Sequence, residues 1–427
     1  MVPAIMNVCV QGLWHLGSVT AACLAEAGHH VIALDHDATT IERLRGGQAP
    51  IAEPGLDAML VSNAARLEYT TEIAAAARAD VLWVTYDTPV DADDRADVDF
   101  VVAKIEAVLP HLRERTVVVI SSQLPVGSVA RLEATAKGRV DFACSPENLR
   151  LGKAIEVFQQ PDRVVVGVRS DAARTRITEL LAPITSRIEW MSVESAEMTK
   201  HAINAFLAVS VTFANELATI CERVGADAKE VERGLKTESR IGPRAYLGPG
   251  GAFAGGTLAR DIAFLTTLAT QHHLTQPVIG GVRPSNEAHK KWALRRLQDR
   301  LGTISGKVIA IWGLTYKPGT DTLRRSAAVE LCADLVEAGA TVRAWDPAVR
   351  SVPPELRVTL APDAIAATAG ASGLVIATEW PELRELDLGA ALAGMQKRLV
   401  VDANRFLAKH MVGVDAEYYA VGVPTRG

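Results

Sequence analysis

Residues 7–35 read NVCVQGLWHLGSVTAACLAEAGHHVIALD: an apolar run, a glycine-containing turn, a helical pattern and a second apolar run that ends in Asp35. The two runs predict buried parallel strands joined by a crossover helix. Dinucleotide-binding turns of this kind normally read G-x-G-x-x-G. The first glycine makes the tight turn, the second lets a pyrophosphate approach the backbone, and the third lets the helix pack closely on the strand. The three positions here are Gly12, Trp14 and Gly17. An indole therefore stands where a phosphate normally approaches the helix N-terminus.

The residues of this turn and Asp35 predict a dinucleotide site. Asp35 lies 23 residues after Gly12, where a carboxylate can bind the adenosine ribose hydroxyls and disfavour a 2′-phosphate. We therefore expect NAD rather than NADP, with Gly12, Leu13, Trp14, Gly17 and Asp35 as cofactor-binding residues. Two interpretations of Trp14 stay open. Either the loop is displaced outward and the indole flanks the phosphates, or the indole has closed a former nucleotide site.

Composition excludes several other classes of function. The chain has 427 residues, 48% of them hydrophobic, which predicts two or three domains with sizeable cores. Its net charge of -5 gives no general attraction to nucleic acid or an anionic membrane, and no apolar run reaches the roughly 18 residues of a spanning helix. The stretch KKWALRRLQDR from Lys290 is typical of a solvated helix face. Five cysteines without paired or metal-like spacing predict no metal site and a reducing, cytoplasmic location.

Hydrophobic periodicity predicts an α/β fold with two doubly wound, Rossmann-like domains joined by a long central helix. The predicted strands of the two halves are 7–10, 31–34, 81–85, 116–120 and 164–166, then 308–312, 342–345, 374–377 and 399–401. Between the halves, residues 194–224 form a helical pattern without proline or glycine, and Gly225 predicts its end. We expect an N-terminal NAD-binding domain at 1–193, a central helical dimerisation domain with an active-site loop at 194–300, and a C-terminal nucleotide-sugar-binding domain at 301–427.

Eight blocks in order resemble the UDP-glucose/GDP-mannose dehydrogenase family. They are the turn from Gly12 with Asp35, APIAEPGL at 49–56, SPENL at 145–149, KHAINAFLAVSVTFANEL from Lys200, RIG at 240–242, PGGAFAGGTLARD at 249–261, GLTYKPGTDTLRRS from Gly313 and ATEWPELRELD from Ala377. Members are NAD-dependent enzymes that oxidise the C6 alcohol of a nucleotide sugar through an aldehyde to an acid. The resemblance implies the same cofactor, a nucleotide-sugar substrate, with a UDP-sugar favoured, and a homodimer.

The resemblance also implies roles for catalytic residues. Glu147 resembles a general acid/base, Lys200 the group that stabilises the developing oxyanion, Asn204 a ligand of substrate and water, and Asp261 the residue that assists proton removal. Lys200 and Asn204 are four residues apart, so on a helix their side chains share one face. Without the resemblance, Glu147 would be read as a solvated surface charge, and the lysine and asparagine as the exposed face of an amphipathic helix.

Further positions match the cofactor and substrate contacts of the family. Thr88 follows Asp87 where the family has GTP, and Gln123 replaces the threonine of its STVP block, where an amide can still bind a water. The substrate-binding candidates are Arg240, which in the family reaches the substrate of the partner subunit, with Phe253, Gly255, Arg260, Lys317 and Arg324. Three departures affect base or sugar preference: Arg260 replaces a lysine, Arg325 replaces an acidic residue, and the arginine of the family's DGRN block is displaced to Arg405.

The main departure is Thr257, which stands where the family has its catalytic cysteine. There a thiolate forms a thiohemiacetal with the aldehyde, and a second hydride transfer and hydrolysis give the acid. A threonine hydroxyl is not ionised at neutral pH without a strong base. Cys144, near Glu147, fits packing at a strand end better than catalysis. We expect a two-electron dehydrogenase that stops at the aldehyde. The alternatives are a non-catalytic nucleotide-sugar binder and full oxidation with water in place of the thiol.

Overall fold

The computed structural model describes residues 4–89, 91, 96–147, 149–254 and 256–424. Internal contacts divide the chain into two units, Met1–Ile203 and Asn204–Gly427. The boundary falls inside a long helix, which contributes its first turns to one unit and the rest to the other.

The first unit is built on an eight-stranded sheet with the order β3-β2-β1-β4-β5-β6-β7-β8. Its strands are β1 Asn7–Gln11, β2 His30–Leu34, β3 Leu67–Thr70, β4 Val81–Val84, β5 Val117–Ile120, β6 Asp141–Cys144, β7 Val164–Val168 and β8 Ile188–Met191. From β3 to β6 the strands are parallel in the doubly wound order, with the switch point between β1 and β4. This confirms the fold expected from residues 7–35.

The expected parallel strand at 164–166 is wrong in direction. Strand β7 pairs antiparallel with β6, where Ala143 faces Val168, and parallel with β8. The chain passes from β6 to β7 through one short helix without crossing to the opposite end of the sheet. Strand β7 therefore runs in the opposite direction to β6. Composition gives no signal for this because buried parallel and antiparallel strands carry the same apolar residues.

Helices cover both faces of this sheet. They are α1 His15–Glu26, α2 Ala38–Arg45, α3 Leu56–Ser62, α4 Val98–Val108, α5 Ser128–Ala136, α6 Ala154–Gln159 and α7 Asp171–Leu181. Helix α1 packs on one face, and its residues Leu16–Ala25 are all buried. A Cβ on Gly17 would lie 1.8 Å from the carbonyl oxygen of Gly12, so only glycine lets α1 approach the turn this closely.

Helix α8, Val193–Val224, starts one residue before its predicted beginning and ends as predicted. Gly225 follows at φ +80°, a left-handed conformation that favours glycine. Among the described residues, α8 is the one helix long and apolar enough by length and composition to cross a membrane, which the sequence reading did not anticipate. A long helix that is partly buried in a protein core passes the same test.

The second unit contains the remaining helices and a six-stranded parallel sheet. The helices before the sheet are α9 Ala228–Thr237, α10 Thr257–Gln271, α11 Pro277–Lys290 and α12 Trp292–Leu301. The sheet has the order β11-β10-β9-β12-β13-β14, from strands β9 Val308–Trp312, β10 Thr341–Trp345, β11 Val358–Leu360, β12 Gly373–Ile376, β13 Leu399–Asp402 and β14 Glu417–Tyr419. Helices α13 Ala327–Glu337, α14 Ala364–Thr368 and α15 Leu388–Ala393 flank it. This is the doubly wound order again, which confirms the second Rossmann-like domain.

Candidate active site

The cofactor turn connects β1 to α1 at the switch point of the first sheet. Gly12 adopts φ +94°, and a Cβ there would lie 2.7 Å from the ring of Tyr86. Asp35, at the end of β2, is buried, and its Oδ2 accepts a hydrogen bond of 2.6 Å from the amide of Leu13. His36 Nδ1 lies 3.1 Å from Oδ1. The carboxylate is thus fixed beside the turn, where a ribose diol is bound in such folds.

Trp14 does not fill the turn. It is the N-cap of α1 at φ -72° and ψ -150°, a conformation that needs no glycine, and its side chain is 47% exposed. Within the described residues no side chain caps this helix, and its first turn contains no acidic residue. The first amides of α1 therefore remain available for an anion, and these residues fit a dinucleotide pyrophosphate.

The second Rossmann-like domain has an aspartate at the equivalent position, with more internal hydrogen-bond donors at one of its oxygens. Asp346 follows β10 as Asp35 follows β2, but its Oδ2 accepts hydrogen bonds from the amides of Leu314 and Thr315, from the Thr315 hydroxyl and from Trp380 Nε1, at 2.7–3.1 Å. A carboxylate oxygen with this many internal donors has no capacity left for a ribose. Oδ1 of each aspartate accepts the amide two residues later, so the two carboxylates differ at Oδ2, which accepts one hydrogen bond in Asp35 and four in Asp346.

The loops after β4 and β5 meet at the same edge of the first sheet. The hydroxyl of buried Thr88 donates a 2.6 Å hydrogen bond to the carbonyl of Gln123, which joins two predicted cofactor-binding residues. Helix α8 packs against the loop after β5. His201 Nε2 lies 3.0 Å from the carbonyl of Leu124. Sequence reasoning did not identify His201, although it lies one residue after Lys200 on the same helix.

Glu197 is a second anchor that sequence reasoning missed. Its buried carboxylate accepts hydrogen bonds from the amides of Gly127 and Val129, at 2.8 and 3.0 Å, where α5 begins. Burial raises the pKa of Glu197, while these two hydrogen bonds oppose the shift. The signal in the sequence is its spacing, because Glu197, Lys200 and Asn204 recur on one helical face.

Glu147 and Lys200, two of the predicted catalytic residues, lie next to each other in the structure. The Lys200 ammonium donates a 2.6 Å hydrogen bond to the main-chain oxygen of Glu147. Burial raises the pKa of the Glu147 carboxyl to about 7, against the attraction of Lys200 and with a contribution from Asp87. No described residue gives Glu147 Oε1 a hydrogen bond, although the atom is buried. A buried carboxyl with a pKa near neutrality and one oxygen without a hydrogen bond from the described residues is suited to general acid/base catalysis.

Asn204 and Asp261 are also in contact, in the second unit. Both are buried, and Asn204 Nδ2 donates a hydrogen bond to Asp261 Oδ2. Four residues before Asp261, Thr257 is the exposed first residue of α10, and its N-cap is Gly256 at φ +114°. Arg260 lies between them on α10 and is partly buried. The segment thus places a hydroxyl at a helix N-terminus, one turn before a buried carboxylate.

The glycine-rich loop before α10 is clamped by side chains that sequence reasoning did not find. Asn215 contacts the main chain of Gly250 and Gly251, His289 the carbonyl of Gly250, Asn286 both main-chain atoms of Phe253, and Asn404 the amide of Gly251. Burial lowers the pKa of His289, so its ring is neutral at neutral pH. The Phe253 ring packs against an apolar cluster from α8, α10 and α11. The predicted site residue Gly255 lies outside the described residues.

A cavity of about 430 Å³ lies at the carboxyl ends of the second sheet. Lys317, Tyr316 and Asn404 line it together with the glycine-rich loop. Ligands of open α/β sheets bind at this edge, and the exposed Lys317 is suited to a diphosphate. Arg324 is exposed on the same loop.

Two predicted arginines take part in other contacts. Arg240 is 86% exposed on the surface and pairs with Glu238 at 2.9 Å. Arg405 does not line the cavity of the second unit. Its guanidinium pairs with Asp227 at 3.0 and 3.1 Å, which ties the loop after β13 to the start of α9. Asn404 lines the cavity instead, so the displaced arginine has become a structural link.

All five cysteines are buried and free. Cys144 ends β6, and burial raises its thiol pKa well above the ordinary range. It therefore packs as a small apolar residue, in agreement with the sequence reading. The described residues contain no group of three acidic, histidine or cysteine side chains placed to hold a metal ion.

Three models of one family match successive parts of the chain. The NAD binding domain of the UDP-glucose/GDP-mannose dehydrogenase family matches residues 6–185, the central domain residues 194–288, and the UDP binding domain residues 310–409. The UDP-glucose 6-dehydrogenase of Pseudomonas aeruginosa is 34% identical over 447 residues, which cover 99% of this chain and 98% of that protein. The UDP-glucose 6-dehydrogenase of Rhizobium meliloti is 36% identical, with 98% and 100% covered.

Solved structures give the same relationship. A UDP-glucose dehydrogenase from the archaeon Pyrobaculum islandicum superposes with a TM-score of 0.85 at 30% identity, covering 99% of each chain. A UDP-D-ManNAc dehydrogenase from Pyrococcus horikoshii has a TM-score of 0.84 at 24% identity and supports the fold alone.

Proposed function

Because the chain belongs to the UDP-glucose/GDP-mannose dehydrogenase family and is an NAD-dependent nucleotide-sugar dehydrogenase, we propose that it oxidises a UDP-sugar at C6 and releases the aldehyde. The relatives that span its whole length are named UDP-glucose 6-dehydrogenases, which supports a UDP-sugar. The cavity beside Lys317 supports a diphosphate at the second sheet.

The first oxidation removes a hydride from C6 and a proton from the C6 hydroxyl. NAD, which the turn from Gly12 to Gly17 and Asp35 would hold, would supply the hydride acceptor. Lys200 stabilises the negative charge that develops on the C6 oxygen, and the proton passes through water to Asp261, which Asn204 holds in place. The buried contact between Asn204 and Asp261 supports this assignment, because a positioned base requires an ordered partner. The products are the aldehyde, NADH and one proton.

The proposal that the reaction stops at the aldehyde rests on the positions of the cysteine thiols. Thr257 occupies the exposed start of α10, and all five cysteines of the chain are buried. Formation of a thiohemiacetal requires an accessible thiolate, because the thiolate is the nucleophile. With a hydroxyl at that position the aldehyde has no covalent partner, and the reaction ends after two electrons.

Glu147 gives a specific reason to keep a second candidate. Its carboxyl has a pKa raised to about 7 by burial, and its Oε1 accepts no hydrogen bond from any described residue. Such a group can remove a proton from a water that adds to the aldehyde, and the resulting hydrate can lose a second hydride to NAD. Full oxidation without a thiol is therefore the alternative product. A non-catalytic binder would need neither Glu147 nor the Asn204–Asp261 pair.

We further propose that the chain acts as a homodimer in a reducing compartment. One face of α8 exposes Phe206, Phe213 and Ile220, spaced seven residues apart, and Val224 follows at the helix end. A helical apolar stripe of this length is typical of a partner surface. The exposed Arg240 supports a reach toward a partner subunit, and five free cysteines support a reducing environment.

The test is a product stoichiometry. Purified protein is incubated with NAD and a panel of UDP-, GDP-, ADP- and TDP-sugars, while NADH is followed and aldehyde is trapped with a hydrazine. We expect trapped aldehyde and one NADH per sugar. Uronic acid with two NADH would establish thiol-independent oxidation, and no NADH together with no calorimetric NAD binding would identify a binder.

A further inference from the structure

The buried carboxylate of Glu53 connects two parts of the first unit that are far apart in sequence. Its Oε2 lies 2.9 Å from His15 Nε2 and accepts a 2.8 Å hydrogen bond from the amide of Gly152. Its Oε1 accepts a 2.8 Å hydrogen bond from the amide of Ala154. Only 1% of the Glu53 side chain is exposed, so each lost donor would leave the buried charge with one hydrogen bond fewer and no water to replace it.

One end of this connection belongs to the cofactor turn. His15 is the first residue of α1 and follows Trp14 directly. Its own backbone amide is one of the first-turn donors that no side chain caps among the described residues, and such donors are suited to an anion. A pyrophosphate that binds these amides therefore fixes the backbone of His15, and through it the imidazole that holds Glu53.

The other end belongs to the segment of the catalytic glutamate. Gly152 and Ala154 stand at the start of α6, five and seven residues after Glu147. The Lys153 N-cap of α6 provides no capping hydrogen bond among the described residues, so Glu53 supplies the acceptor that the helix start needs. The conformation of Gly152 and Ala154 at the start of α6 thus depends on Glu53.

The chemistry of the three donors requires an ionised Glu53. Burial alone would raise its pKa, but the hydrogen bonds from Gly152, His15 and Ala154 outweigh burial and hold the pKa below its ordinary value. An ionised carboxylate only accepts hydrogen bonds, so the proton of the contact lies on His15 Nε2. Replacing His15 removes one donor from Oε2 and leaves that oxygen with the amide of Gly152 alone.

We propose that His15 and Glu53 form a bridge through which NAD binding at the start of α1 orders Gly152 and Ala154 at the start of α6, five and seven residues after Glu147. His15 is a positioning residue that acts through Glu53, and neither residue needs to touch the reacting atoms. Binding at one end and order at the other are linked reciprocally, so loosening the bridge weakens NAD binding as well. The inference rests on NAD use by this family and not on whether the product is aldehyde or acid.

The test is hydrogen exchange of the Gly152 and Ala154 amides in the full chain, with and without NAD and with no sugar present. We expect NAD to slow exchange at both amides in the wild type. His15→Phe, which keeps ring size and loses the donor, should abolish this response and weaken NAD binding about tenfold by calorimetry. His15→Gln, whose amide can still donate to Glu53, should retain the response.

Matched controls separate the bridge from general destabilisation. His111→Phe changes an exposed histidine of the same unit and should leave NAD affinity and exchange unchanged. The amides at the start of α7, which Ser170 caps, should not respond to NAD in any variant. Equal protection of Gly152 and Ala154 by NAD in the wild type and in His15→Phe would overturn the proposal, as would wild-type protein in which NAD binds and leaves both amides unaffected. Because no sugar is present, these results do not depend on the product.

Discussion

Replacement of Thr257 by cysteine is expected to convert one oxidation per sugar into two. The residue is exposed at the first position of α10, and its N-cap is Gly256, which has no side chain. A helix N-terminus stabilises a nearby anion by about 0.3–1 kcal/mol, which at about 1.4 kcal/mol per unit lowers a thiol pKa of about 8.5 to about 8. At pH 7.5 about a quarter of the thiol is then ionised, whereas the native hydroxyl stays neutral.

The assay for Thr257→Cys is the ratio of NADH formed to UDP-sugar consumed, with the sugar product identified by mass spectrometry. The ratio should rise from one to two, and the uronic acid should replace the trapped aldehyde. Thr257→Ser, which keeps a hydroxyl at the same place, is the matched control and should stay at one. The reasoning is refuted if the wild type already reaches two, or if the cysteine variant reacts with a thiol reagent and still releases only aldehyde.

Three further predictions address Glu147, Trp14 and α8. The raised pKa of Glu147 means that the folded protein binds this proton more tightly than the unfolded chain does. The stabilisation of the fold by this proton is complete below about pH 4.5, and about 3 kcal/mol is lost as the pH rises through about 7. Glu147→Gln should remove this pH dependence, measured by denaturant unfolding at pH 5 and pH 8; an unchanged difference between the two pH values contradicts the burial argument. Trp14→Gly should change the Kd for NAD less than about threefold, because the residue is exposed and its N-cap position accepts glycine. A tenfold gain in affinity by calorimetry would show that the indole obstructs the site. Phe206→Asp should convert a dimer into monomers, since it places a charge in the exposed apolar stripe of α8, and light scattering measures the mass. Val412→Asp, at another exposed apolar residue, should leave the dimer intact. A Phe206→Asp variant that stays dimeric excludes this face of α8 as the interface.

Local sequence patterns were sufficient to predict an element where all the residues that determine it lie in one segment. The run from Asn7 to Asp35 contains both strands, the crossover helix and the glycines that let the helix pack, and the structure has all of them. The long helix was predicted to within one residue because nothing inside it breaks the pattern and Gly225 ends it. Short, half-buried strands such as Leu67–Thr70 were missed because four residues give too little periodicity to separate a strand from a loop.

Apart from the dinucleotide turn and Asp35, candidate site residues were found from the sequence only at positions that match the family. Glu147 with Lys200 and Asn204 with Asp261 are two pairs that the structure brings into contact. The residues that support these pairs could not be predicted, because Glu197 and Glu53 are indistinguishable from surface carboxylates in the sequence. Only the structure shows the amides that they bind.

The sequence by itself determined the two doubly wound halves, the long central helix, the NAD turn and the absence of a thiol at position 257, because each depends on residues that are neighbours along the chain. Tertiary structure alone decided that β7 runs antiparallel to β6, that the Trp14 indole is exposed, that Arg405 pairs with Asp227, and that Glu53 joins the cofactor turn to the start of α6. These features depend on strand direction and on contacts between groups separated by up to 178 residues in the chain. Burial then makes such contacts consequential, because a charge removed from water must find its partners within the fold.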